Sequence, residues 1–98
     1  MPVKSCHIIS TIERNGYIAC LLDERDVQLR QIARMLRKEL DDDLLFNESD
    51  DYLYLITNQH TGDAYIVLLP FEVNEYCDEY IKRIADECEN GMLLSAKL

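Results

Sequence analysis

The side chains that could do chemistry in this 98-residue chain are two histidines, four cysteines and nineteen carboxylates. His60 stands in a polar run with Thr61, Gly62 and Asp63. A histidine near a hydroxyl and a carboxylate has parts of a hydrolytic site, but no nucleophile stands where it would complete one. Cys6 and His7 are neighbours on a predicted strand, so they face opposite sides and form no nucleophile–base pair. Cys77 and Cys88 fall on one predicted helix, about 16 Å apart along its axis, which excludes a metal ion between those two alone. With Cys20 they read as small, reduced core residues. Asp41, Asp43, Asn47 and Glu48 imitate a calcium loop, but the glycine and terminal glutamate of the EF-hand spacing are missing. Three glycines in the chain leave little room for a phosphate-cradling loop. No metal or cofactor is expected, and the chain reads as a non-enzyme.

The carboxylates carry a different signal. Net charge is −9, and it is unevenly placed. Residues 1–38 hold seven bases and four acids, a net of +3, while residues 39–98 hold three bases and fifteen acids, a net of −12. Such asymmetry points to an interaction. One cluster contains Asp41, Asp42, Asp43, Glu48, Asp50 and Asp51. The other lies on the outer face of a predicted second helix and contains Glu72, Glu75, Asp78, Glu79 and Asp86. These residues form the expected partner-binding surface. A net negative chain is repelled by nucleic acid and by anionic membranes, so the expected partner is a protein with a basic surface. The arginines of the first helix are expected to pair with acids of the same chain or of a second copy.

The elements that must position these groups are legible from periodicity. The organising stretch is 51–70, two apolar strands at 52–57 and 64–69 joined by the His60 loop. An earlier hairpin covers 5–12 and 17–22, with Asn15 and Gly16 at the turn, the strongest short hairpin signal. A two-residue loop sets Arg14 opposite Tyr17 and Ile12 opposite Ala19. Ile8, Ile12, Tyr17, Ala19 and Leu21 then share one face, and Ile9, Ile18, Cys20 and Leu22 the other. A first helix is predicted at about 24–40, capped by Asp23, with Leu29, Ile32, Ala33, Leu36 and Leu40 as its apolar stripe. Repulsion among Asp41, Asp42 and Asp43 is expected to end it. A second helix is predicted at about 71–90, after Pro70 and before Gly91. Residues 92–98 are read as a short final strand or a docked tail.

The order ββαββα predicts one α+β domain, an antiparallel sheet of about four strands with two helices on one face. The two halves share a coarse Tyr-Ile pattern, at Tyr17 and at Tyr65, which fits either a diverged duplication or two solutions to one packing problem. Tyr52, Tyr54 and Tyr65 form either a packed layer under a helix or an exposed aromatic patch. The helix-free face of the sheet needs a cover, and a homodimer is the simplest one. No apolar run reaches membrane-span length, and no signal-peptide pattern opens the sequence, so the cytoplasm is the expected compartment. The terminal Ala96, Lys97 and Leu98 are similar to a peroxisomal address of the Ser-Lys-Leu type.

In size and charge the chain is similar to phage-encoded inhibitors of host defence or DNA-binding machinery, including anti-CRISPR proteins and DNA mimics. That similarity implies a small protein-binding inhibitor or regulator whose acidic surface blocks a basic site. The competing expectation is a homodimeric structural or accessory domain, with acidity serving solubility. An enzyme built on His60 or a cysteine is the third.

Overall fold

A computed structural model describes residues 7–43, 51–74 and 79–98, apart from the side chains of 40–43. Its class is α+β, with one five-stranded antiparallel sheet and two helices. The strands are β1 (Ile8–Arg14), β2 (Tyr17–Leu22), β3 (Tyr52–Asn58), β4 (Asp63–Leu69) and β5 (Ser95–Lys97), adjacent in chain order. Helix α1 (Val27–Asp43) joins β2 to β3, and α2 (Tyr80–Glu89) joins β4 to β5. The expected short final strand is β5, which pairs Ala96 with Ile66 on the edge of β4.

The turn at Asn15 and Gly16 sets the first register. Both residues have positive φ, +56° and +85°, as a type I′ turn requires. Arg14 pairs with Tyr17 and Ile12 with Ala19, as expected. Further from the turn the register slips, because Ile8 pairs with Leu22 while Ser10 pairs with Leu21. Ile9 is the extra residue of this bulge and is 61% exposed. The slip moves Ile8 from the expected Ile12 face to the face of Ile18 and Cys20.

Gly16 is held from above. His60 Nε2 donates to the Asn15 carbonyl at 3.0 Å, and its ring stands edge-on to Tyr17. The Gln59 amide donates to the Gly16 carbonyl at 2.8 Å. A Cβ on Gly16 would lie 2.5 Å from His60 Nε2. Gly16→Ala should therefore cost about 2–3 kcal/mol, from left-handed backbone strain plus displacement of the ring. Adding His60→Ala should recover the steric part and leave about 1–2 kcal/mol. Urea unfolding of the two single variants and the double checks this cycle.

The helices lie on opposite faces of the sheet, not on one face as expected. Leu29, Ala33 and Leu36 of α1 pack with Cys20, Leu22, Leu53, Ile66 and Leu68. Ile81, Ile84, Ala85 and Cys88 of α2 pack with Ala19, Leu21, Tyr54, Ile56, Tyr65 and Val67. Neighbouring strand residues alternate between these two sets, so β2, β3 and β4 are apolar on both sides. The result is a three-layer molecule, and the bare sheet face that called for a homodimer does not exist. Tyr17, Tyr54 and Tyr65 form a packed layer under α2, while Tyr52 is 38% exposed.

Three helix boundaries differ from expectation. The α1 N-cap is Asp26, whose Oδ2 accepts the Leu29 amide at 3.0 Å, and not Asp23. Helix α1 runs on through Asp43, because repulsion between like charges on a helix costs only a few tenths of a kcal/mol per pair. Helix α2 begins at Tyr80, with 71–74 non-helical and 75–78 outside the described residues. Val73 is buried there, and its amide donates to Tyr54 Oη at 2.9 Å, which ties this connection to β3. Helix α2 ends in a Schellman motif at Gly91: the Gly91 amide donates to the Cys88 carbonyl and the Met92 amide to the Glu87 carbonyl.

Candidate protein-binding surface

The expected site residues divide into three groups. Asp51 belongs to the interior. Its side chain is 1% exposed, and Arg37 reaches it through Nη2 at 2.6 Å and Nε at 3.0 Å. The same guanidinium holds Glu24 through Nη1 at 2.8 Å. Asp51 was expected to face a partner, but the register that opens β3 turns it onto α1 instead. Arg37 thus clamps three segments together: the loop before α1, α1 itself and the start of β3. The paired carboxylates hold the guanidinium pKa above its usual range.

The second group lies beside α1. The backbones of Asp41, Asp42 and Asp43 form its last turn. Glu48 and Asp50 lie outside the described residues, as do Glu75 and Asp78 of the other cluster. Of the first-helix arginines, Arg37 pairs with acids of the same chain as expected, while Arg30 is held by backbone carbonyls. Arg30 donates to the Glu24 and Arg25 carbonyls at 3.2 and 3.1 Å. Arg25, just before the helix, grips Asp23 with Nη2 at 2.7 Å.

That grip has a measurable consequence. Hydrogen bonds from the Arg25 side chain and amide lower the Asp23 pKa from 3.8 to about 2. A carboxyl with a depressed folded pKa stabilises the fold above its unfolded pKa, and loses that contribution as pH falls through the folded value. The affected window is therefore from about pH 4 down to about pH 2. Carboxyl NMR titration should give a midpoint near 2 in the native protein and a return toward 3.8 in Arg25→Ala.

The third group lies in the α2 layer. Glu72 follows β4, Glu79 precedes α2 and Glu89 ends it. All three are exposed, and among the described residues none forms an ion pair. Asp86 is 46% exposed and stands 3.9 Å from Lys82, one turn away. Glu87 stands 3.6 Å from Arg83 at the same spacing. Such exposed pairs contribute about 0.3–0.5 kcal/mol each and hold their charges loosely.

The acidic end of α1 and the carboxylates around α2 stand in layers separated by the sheet.

His60 is exposed but serves as a brace between two hairpin turns, with its ring on Asn15 and its own amide on Asn58 Oδ1 at 2.9 Å. Cys20 and Cys88 are buried free thiols. Burial pushes the Cys88 thiol up, which keeps it protonated and unreactive near neutral pH. Among the described residues no three His, Cys, Asp or Glu side chains gather as a metal site, and no helix is long and apolar enough to cross a membrane.

Sequence reasoning missed one feature of the α2 layer. Phe71 and Tyr80 meet edge to face, with ring centroids 4.8 Å apart. They line an apolar cleft with Leu69, Pro70, Ile84 and Leu93.

With this geometry in view, comparison with known proteins finds no matching family model, curated protein or solved structure.

Proposed function

We propose that this chain is a non-enzymatic inhibitor or regulator that lays its α2-layer carboxylates on a basic site of a partner protein, of the kind that otherwise holds nucleic acid. The observation that carries the reading is the exposure of Glu72, Glu79 and Glu89, none of which forms an ion pair among the described residues. The arginines of α1 lie across the sheet from Glu72, Glu79 and Glu89, and the bases of α2 itself, Lys82 and Arg83, stand with Asp86 and Glu87. Unneutralised carboxylates held by a packed helix repel one another, and a cationic partner relieves that repulsion. Charge complementarity of this kind speeds encounter and suppresses wrong partners more than it adds raw affinity.

The test is a pull-down from nuclease-treated native lysate, washed at low and at moderate salt, with the retained proteins identified by mass spectrometry. One stoichiometric basic protein, lost as salt rises, is the expected result. Recovery only of untagged copies of the chain itself would replace this reading with a homodimeric structural domain.

A further inference from the structure

We infer that the cleft between Phe71 and α2 is the anchor of this interface, and that it receives one large apolar side chain of the partner flanked by lysine or arginine. The inference rests on the function proposed above. The cleft measures about 210 Å³ and is walled by Pro70, Phe71, Tyr80, Ile84 and Leu93. That is below the roughly 300–1,000 Å³ of small-molecule sites, so its size suits a single side chain rather than a cofactor. Interfaces draw most of their binding energy from a few such anchors in desolvated pockets.

Charge selects the occupant. Arg83 and Glu87 also line the cleft, 3.6 Å apart, so the pocket itself carries no net charge that would draw in an ion. Next to the walls stand two exposed acids: Glu72 follows Phe71, and Glu79 precedes Tyr80. An apolar residue inside and basic residues on either side satisfy both conditions. The walls are held in place independently of any ligand. The Tyr54 hydroxyl fixes the chain at Val73, and the Leu93 amide donates to the Glu87 carbonyl at 3.2 Å.

Two capped peptides, Arg-Lys-Phe-Lys-Arg and Arg-Lys-Ala-Lys-Arg, titrated into the ¹⁵N-labelled full chain at low salt, test this directly. The phenylalanine peptide should bind about tenfold more tightly, the equivalent of one anchoring side chain. It should shift the amide signals of Phe71, Tyr80, Ile84 and Leu93. Phe71→Ala and Leu93→Arg should each abolish the difference between the peptides, while Glu72→Lys with Glu79→Lys should weaken both alike. Equal binding of the two peptides, with no shifts at the cleft, would overturn the anchor and leave the acidic surface standing. No binding of either peptide would overturn both.

Discussion

Arg37→Ala is expected to lower the unfolding free energy by about 3 kcal/mol. The Asp51 carboxylate that this change strands is 1% exposed, and burying a charge without its partner is among the larger single-residue penalties. The guanidinium is itself 25% exposed, which places the cost at the lower end of the range for broken buried pairs. For a domain of this length the melting temperature should fall by roughly 10–20 °C. Asp51→Asn keeps the shape and one acceptor, so it should cost about 1–2 kcal/mol. Arg37→Lys should fall between them, because a lysine offers a point charge in place of a fork that reaches two carboxylates. Thermal and urea unfolding of the three variants tests this order. A change below about 0.5 kcal/mol in Arg37→Ala would mean that the group behaves as an ordinary exposed pair.

The second large effect divides the core in two. Leu29 and Ile81 are both 0% exposed, one under each helix. Leu29→Ala and Ile81→Ala should each cost about 2–5 kcal/mol, the transfer term plus the cavity left behind. The sheet keeps the two sites from sharing a partner, so losses on opposite faces should add. The milder pair Ile66→Val and Ile81→Val keeps the double variant folded, and its cost should equal the sum of the singles within about 0.5 kcal/mol. Strong non-additivity would place both helices over one core.

The local elements were legible where a side chain's demand is local. Asn15 and Gly16 specified the turn and its register, Pro70 ended β4, and Gly91 marked the end of α2. The alternation of Ala19 and Leu21 with Cys20 and Leu22 showed that both sheet faces are apolar. Which face each helix covers was not legible, because the connections after Leu22 and Leu69 carry no residue that selects a side. The Arg37 clamp shows the limit for charges. Nothing local distinguishes Asp51 from the other acids around it, and only the pairing of β3 with its neighbours turns it onto an arginine fourteen residues upstream. Asp23, the cap expected from the sequence, is held by Arg25 instead, and the helix is capped three residues later by Asp26. The Phe71 cleft needed the return of the chain at Leu93, a contact that no local pattern encodes.

The most direct test of the acidic surface compares two charge-reversed variants for affinity toward the retained basic partner across a salt series. One carries Glu72→Lys, Glu79→Lys and Glu89→Lys in the α2 layer. The other carries Asp41→Lys, Asp42→Lys and Asp43→Lys at the end of α1. The α2-layer variant should lose about tenfold or more in affinity at low salt, and its salt dependence should flatten. The α1 variant should bind within about threefold of the native chain, because its changes lie behind the sheet from the docking face. Native affinity in the α2-layer variant, or loss only in the α1 variant, would contradict the assignment of binding to that layer.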